Sequence, residues 1–437
     1  MAKELHELNE LEERVILVAV EMDERSSRSA MDTDACLDEL EELVKTAGAT
    51  AVARSVQKRE RIHPGHYLGT GKIEELKAML LTYDATGIVC DDELSPAQLR
   101  NLEQMLGTKV MDRTIVILDI FAARALSGEG KIQVELAQLK YRLSKENGDG
   151  YRLSRLTGMG ASMSRLGGGI GTRGPGEKKL ETDRRYIKER IAELNKDAQE
   201  IRTHRELLRA QRSKKGTPVI SLVGYTNAGK STILNRLSDA GVLAEDKLFA
   251  TLDTTTRKIE LPGGSEVFLT DTVGFIQKLP HHLVQAFRAT LEELQYADIL
   301  LHVVDASDAN RAEHIEVVYD TLRSLGCEDT PVITVFNKMD REVELPLPMD
   351  TMARDIVQVS AQNGDGMDVL LERVEKLLQS FRKSITALVP YTEGSLIGWI
   401  HGRCEIIREE HTGEGVLLEV YVDEESANRL EKFKVNE

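Results

Sequence analysis

A chain of 437 residues exceeds what one hydrophobic core usually fills, so about two to four domains are expected. Its 41% hydrophobic and 30% charged residues are those of an ordinary soluble protein, which excludes a disordered or fibrous chain. The net charge of −16 argues against a uniformly nucleic-acid-coating surface, but the charge is polarised: residues 1–50 hold 5 Lys or Arg against 14 Asp or Glu, and residues 151–215 hold 17 against 8.

Four cysteines, Cys36, Cys90, Cys327 and Cys404, lie far apart without a Cys-x-x-Cys, so buried thiols in a reducing compartment are expected rather than disulfides or a zinc site. The amino terminus lacks the apolar core of a signal peptide, and no run of about 18 apolar residues occurs, which predicts a cytoplasmic protein with no membrane span.

In chain order, VILVAVEMD from Val15 predicts a buried strand and DACLDELEELVKTAG an amphipathic helix ending at Gly48. ATAVARSVQ and TGIVCDD predict strands, KIEELKAMLLTY and SPAQLRNLEQMLG helices, the last with Ser95 as N-cap. This alternation implies a small parallel sheet covered by helices. Near residue 128 the period changes. Ile132, Leu136, Leu139 and Leu143 define one coiled-coil seam, and Ile187, Ile191, Leu194, Ala198, Ile201 and Leu208 a second in which Arg205 takes one seam position. Between them runs NGDGYRLSRLTGMGASMSRLGGGIGTRGPGEKK, whose glycines oppose regular structure and whose arginines have few nearby acids. The reading is an antiparallel helical hairpin with a basic tip suited to folded RNA, where phosphate contacts dominate; a solvated linker is the plain alternative.

A second alternating region begins at Thr217. PVISLVG, EVFLTDT, DILLHVVDA, PVITVFNK and DIVQVS are five candidate strands, and ligands in open α/β sheets sit at strand carboxyl ends. From about residue 384, TALVPY, SLIGWIHGR and GVLLEVYVD suggest a small α+β module. The fold class is therefore α/β and multidomain: an N-terminal α/β domain (1–127), a helical hairpin (128–215), a P-loop domain (216–383) and the C-terminal module (384–437).

GYTNAGKST, comprising Gly224, Tyr225, Thr226, Asn227, Ala228, Gly229, Lys230, Ser231 and Thr232, follows an apolar strand and opens a helix, the context a phosphate-binding loop requires. Its amides can cradle phosphates, Lys230 can reach the β and γ phosphates, and Ser231 can bind Mg²⁺. One strand later stands Asp271-Thr272-Val273-Gly274, in which Asp271 suits the metal's outer shell and the Gly274 amide the γ-phosphate. Asn337-Lys338-Met339-Asp340 places a carboxylate, Asp340, for the paired N1 and N2 donors of guanine, which adenine lacks; a site built for hydrogen bonds rejects a partner without them. Ser360, Ala361 and Gln362 follow the next strand, suited to the guanine O6. FATLDTTTRK should be the switch whose threonine completes the magnesium shell, with Thr251, Thr254, Thr255 and Thr256 as competitors.

These motifs, together with GGGIGTRGPGEKKLETDRR upstream of them, resemble the HflX GTPases over essentially the whole chain. The resemblance implies a cytosolic, translation-factor-class GTPase that binds GTP and GDP, uses Mg²⁺, engages the large ribosomal subunit and splits stalled or idle ribosomes. By that resemblance Phe249, Ala250, Thr251, Leu252 and Asp253 form the first switch, Thr251 is the magnesium threonine, and Lys230, Thr251 and Gly274 are the catalytic set. TLDTTTR departs from the commoner TLDPTTR, which bears on the switch's rigidity. A monomer is expected.

Phe275 follows Gly274 where many nucleotide hydrolases have a water-orienting glutamine, and a phenyl ring cannot replace it. Two substitutes are open: the ribosome, or a K⁺ ion held by Asn227, which occupies the place of a potassium-coordinating asparagine in GTPases resembling the tRNA-modifying MnmE. YLGTGKIEEL raises a second phosphate site around Gly69, Gly71 and Lys72, although it lacks the full loop spacing and a structural turn is the simpler reading. Two rival functions follow: an RNA-binding scaffold with GTP as a slow timer, and an ATP-dependent RNA remodeller driven from the N-terminal domain.

Overall fold

The computed structural model describes residues 13–22, 32–145, 176–213, 217–238, 248–278 except Ala250, 291–343, 345–381, 383–422, 427 and 429–435. The basic tip of the hairpin, with Arg165 and Arg173, lies outside them.

The first sheet is built from β1 (Arg14–Met22), β2 (Thr50–Arg59), β3 (Gly87–Cys90) and β4 (Lys109–Asp112), in the order β2-β1-β3-β4 with every pair parallel. Because strand side chains alternate faces, the apolar run of β1 divides cleanly. Val15, Leu17 and Ala19 enter one core, and Ile16, Val18 and Val20 another. The crossovers are α1 (Thr33–Thr46), α2 (Thr70–Thr82) and α3 (Pro96–Leu106). Ser95 caps α3 as expected, in a reciprocal capping box with Gln98. In the turn before α2 the Gly69 amide donates to Gln57 Oε1 at 2.9 Å, Tyr67 is buried, and Lys72 pairs with Glu75 at 2.8 Å.

Sequence reading missed β4 and α4 (Arg113–Arg124). The strand is four residues long, too short for a visible period. RTIVILDIFAAR has little helical stripe because Arg113 through Phe121 are all buried, as in a helix enclosed on every side. Helix α4 is sandwiched between the first sheet and the P-loop domain, and leads into α5 (Gly128–Lys145).

Helices α5 and α6 (Gly176–Ser213) pack through Leu136, Leu139, Ile187 and Leu194, joined by Ile132, Leu143 and Ile191. Their direction is antiparallel, since Arg190 pairs with Glu135 while Arg205, later in α6, pairs with the earlier Glu129.

The second sheet runs β10-β9-β8-β5-β7-β6, comprising β5 (Val219–Gly224), β6 (Thr255–Glu260), β7 (Glu266–Asp271), β8 (Ile299–Asp305), β9 (Val332–Asn337) and β10 (Asp355–Gln358). The five expected strands are parallel; β6 is an additional, antiparallel edge strand formed by the end of the switch segment. Its helices are α7 (Lys230–Ser238), α8 (Arg311–Ser324) and α9 (Met367–Phe381). A three-stranded antiparallel sheet, β11 (Lys383–Val389), β13 (Val416–Val422) and β12 (Glu405–His411), packs with α10 (Gly394–Arg403) as an α+β unit.

One apolar core crosses from the first sheet into the second. It contains Leu17 and Leu40, Ile117 and Phe121 of α4, Tyr141 of α5, and Phe249, Leu252, Phe275 and Leu300 of the P-loop domain. The Phe121 and Phe249 rings meet edge to face at 4.7 Å. The two domains thus share buried surface where the switch residues lie.

Candidate nucleotide site

β5 ends at Gly224 and α7 begins at Lys230, so the loop between them places backbone amides at a helix N-terminus. Gly229 has φ 96°, and a Cβ there would strike Asn337 Nδ2. Lys230 is 6% exposed; its Nζ donates to the carbonyls of Gly224 at 3.1 Å and Tyr225 at 2.8 Å. Burial lowers its pKa to about 8, against the opposing pull of Asp271.

Three oxygens converge beside this amine. Ser231 Oγ donates to Asp271 Oδ2 at 2.6 Å and stands 2.7 Å from Thr251 Oγ1. Of the four competing threonines, Thr251 is the one at Ser231. Thr255 and Thr256 begin β6, where Thr256 pairs with Thr270. Asp271 is fully buried, its carboxyl raised by burial against the lowering effect of Lys230, and its Oδ1 has no hydrogen-bond partner. Two hydroxyls and a buried carboxylate, one of whose oxygens is orphaned, form a hard, oxygen-only donor set that fits Mg²⁺. Thr232 follows in α7, half-buried.

Thr272 Oγ1 donates to Leu222 O at 2.6 Å, and Val273 is buried in the shared core. Gly274 sits against the loop so closely that a Cβ would lie 2.9 Å from Thr226 Cα and 3.0 Å from Lys230 Nζ. The chain then zips onto the phosphate loop: Phe275 N donates to Gly224 O at 3.1 Å, and Thr226 N to Phe275 O at 2.8 Å. The Phe275 ring, 2% exposed, is in the shared core.

On the other side, Asn337 Nδ2 donates to Ala228 O at 2.9 Å and its Oδ1 accepts from Ala361 N at 3.0 Å, locking the two motifs together. Lys338 pairs with Asp305 at 2.7 Å, and Met339 N donates to Val359 O. Asp340 Oδ1 accepts from Ser360 Oγ at 2.5 Å, and that bond holds the exposed carboxyl below its ordinary pKa. Gln362 is exposed. Asn227 is exposed with φ 61°. Ala250 lies outside the described residues, and Asp253 turns away from the phosphate loop to helix α5.

A cleft of 240 Å³ lies between the loop residues Thr226 and Asn227 and the acidic face of α1, including Glu39. Sequence reading missed this wall. Its one visible signal was Arg113 opening a largely apolar segment: it is buried and bridges Glu39 at 2.5 Å and Asp91 at 2.9 Å.

Residues 34–122 match the family described as GTP-binding GTPase N-terminal, residues 124–212 the GTP-binding GTPase middle region, and residues 219–338 the 50S ribosome-binding GTPase family. A GTPase HflX of Lacrimispora saccharolytica is 56% identical, over 97% of this chain and 96% of its own. The chain belongs to the HflX GTPase family. The HflX of Caldanaerobacter subterraneus subsp. tengcongensis is 46% identical over 99% of this chain and 96% of its own, and that of Escherichia coli 42% over 82% and 83%. A solved GTP-binding protein of Sulfolobus solfataricus in complex with GDP resembles it at 22% identity and a TM-score of 0.41, over 83% of this chain and 98% of that one. As an HflX GTPase the chain hydrolyses GTP to GDP and phosphate, and no helix among its described residues is long and apolar enough to cross a membrane.

Proposed function

We propose that this HflX GTPase works in the cytoplasm as a monomer, binds the large ribosomal subunit, and couples GTP binding and hydrolysis there to the splitting or recycling of stalled and idle ribosomes. The observation that supports the nucleotide half of this reading is the convergence of Ser231, Thr251 and Asp271 within 2.7 Å beside Lys230. In it Lys230 binds the β and γ phosphates, the Gly274 amide meets the γ-phosphate, and Asp340 with Ser360 and Ala361 reads guanine. Mg²⁺ would be held by the Ser231 and Thr251 hydroxyls with Asp271 behind them, and when bound it neutralises phosphate charge. The ribosomal half rests on the 50S ribosome-binding GTPase match and the basic segment 151–215.

The decisive experiment measures GTP turnover with and without purified large subunits, and follows intact ribosomes on sucrose gradients. Strong stimulation by subunits together with GTP-dependent splitting is expected. Stimulation without splitting would favour the scaffold with a slow GTP timer, and ATP turnover surviving Lys230→Ala would favour a remodeller driven from the N-terminal domain.

A further inference from the structure

The segment Thr251-Leu252-Asp253 makes three different attachments in three residues. Thr251 Oγ1 stands 2.7 Å from Ser231, Leu252 is buried in the core shared by the two domains, and Asp253 reaches Leu126 and Ser127, immediately before α5. There the Asp253 carboxylate accepts from Leu126 N at 3.0 Å and Ser127 N at 2.8 Å, and from the Ser127 hydroxyl. Ser127 Oγ in turn accepts from Gly130 N at 2.8 Å. Amides at a helix start have no intrahelical partners, and a carboxylate facing them is favoured by hydrogen bonding and by the helix dipole. Here the stabilising carboxylate comes from another domain, more than a hundred residues away in sequence.

The hairpin is shaped to admit it. A Cβ on Gly130 would collide with Asp253 Oδ1, so glycine in this first turn makes room for the carboxylate. A second bond ties the same base to the P-loop domain: Arg205 of α6 contacts Glu129 of α5 at 2.7 Å and Glu293 at 3.4 Å.

We infer that Asp253 is a positioning residue that couples the seat of Thr251 at the magnesium site to the start of helix α5, so that the helical hairpin registers whether the first switch is engaged. A single residue, Leu252, separates the attachments, and an extended chain spans at most about 3.5 Å per residue, so Thr251 cannot withdraw far while Asp253 stays at the start of α5. Release of one loosens the other. With Thr251 seated, the cap holds the hairpin base against the P-loop domain. With Thr251 withdrawn, Leu126 and Ser127 lose their acceptor and the base is freed to reorient. The same coupling runs in reverse, since a force on the hairpin acts on the threonine of the catalytic set.

This inference rests on the role proposed for Thr251, and amide hydrogen exchange at Leu126 and Ser127 tests it in the full-length protein. With Mg²⁺ and a non-hydrolysable GTP analogue, these two amides should exchange about tenfold more slowly than with GDP, the effect of losing one hydrogen-bonded cap. Asp253→Ala should abolish the difference. Gly130→Ala should abolish it from the hairpin side, since alanine favours helix yet occupies the carboxylate's place, and GDP affinity should be unchanged. Equal protection in the two nucleotide states of the wild type, or a difference that survives both substitutions, overturns the inference. Binding of the analogue without any such difference removes the coupling alone, whereas failure to bind the analogue removes the proposed nucleotide site as well.

Discussion

The Tyr225 hydroxyl donates to Glu39 at 2.8 Å and accepts the amide of Gln277 at 2.9 Å, so one phenol joins the phosphate loop, helix α1 and the segment after Gly274. Its ring stacks on His314 with centroids 3.7 Å apart. Glu39 is shared with Arg113, which also holds Asp91, and Asp91 and Asp92 both receive Lys278. The N-terminal domain therefore binds both the loop between β5 and α7 and the segment that follows Asp271. Movement of either has to exchange partners within a largely buried charge network, which favours discrete arrangements over gradual ones.

Tyr225→Phe keeps the stacked ring and removes the hydroxyl. Gln277 N–H loses its acceptor and Glu39 a donor, in a site with little water to replace them. A loss of about 1–3 kcal/mol is expected. Urea unfolding monitored by circular dichroism would measure it, and an unchanged midpoint would mean that the network tolerates the gap.

Phe275 invites the opposite experiment. Phe275→Gln restores the residue type that orients water in many nucleotide hydrolases, yet the side chain at this place lies in the shared core, 2% exposed, while its backbone is fixed to Gly224 and Thr226. The glutamine would bury an amide without partners, costing roughly 1–3 kcal/mol beyond the lost apolar contacts. Intrinsic GTP turnover should not rise, and thermal stability should fall. A variant with faster turnover would show that the side chain can reach the phosphate site.

The meeting of GYTNAGKST, Asp271 and Asn337-Lys338-Met339-Asp340 was legible because each segment is local and falls at a strand end where the alternating pattern puts it. The interdomain network was not. Tyr225 and Glu39 are 186 residues apart, and nothing in either segment announces the other. Edge strands β6 and β12 were overlooked for a related reason, since TTRKIE and EIIREEH mix charge into the strand pattern and take their conformation from a neighbour. Asp253 illustrates both limits. The switch motif marked it as a nucleotide residue, and only the packing of α5 shows where its carboxylate goes.

Asp119 gives a pH signature. It is 8% exposed on α4, its Oδ2 has no hydrogen-bond partner, and burial raises its pKa to about 7 despite the opposing effect of Lys109. The folded protein holds this proton more tightly than the unfolded chain, whose value is near 3.9. Stability from this group is therefore present below about pH 4, declines as pH rises towards 7, and is constant above. Asp119→Asn removes the buried charge and should flatten that decline, raising stability at pH 8 by at most on the order of 4 kcal/mol. Denaturant titrations of both proteins at pH 5 and pH 8 would show a gap that widens with pH; a constant gap would contradict the assignment.

Base choice is tested at Asp340. The Ser360 hydroxyl donates to its Oδ1, and in Asp340→Asn the same bond would keep the amide oxygen on Ser360 and turn the NH₂ towards the base. An NH₂ suits the C2 carbonyl of xanthine and repels the guanine donors. Competition binding should show a preference for xanthosine triphosphate over GTP, with discrimination approaching the order of 10⁴ found for sites built on hydrogen bonds. Undiminished GTP binding would contradict the reading of guanine by Asp340.

With Phe275 committed to the core, transition-state charge must be met by another group, since removal of charge-stabilising groups from GTPases costs about 10³ to 10⁵ in rate. Turnover of the isolated protein should accordingly be slow. Asn227 is the exposed side chain on the phosphate loop with an oxygen to offer a monovalent cation, and its φ of 61° projects it from a left-handed turn. K⁺ there would offset charge developing between the β and γ phosphates. One such ion adds less than a full oxyanion donor, so turnover in K⁺ should exceed that in Na⁺ by on the order of tenfold. Asn227→Gly is the suitable variant, because glycine adopts the same φ without strain while lacking the carboxamide. It should retain GTP binding and lose the difference between the two salts. Equal rates in Na⁺ and K⁺ for the wild type would eliminate the cation and leave the large ribosomal subunit as the source of the missing catalytic group.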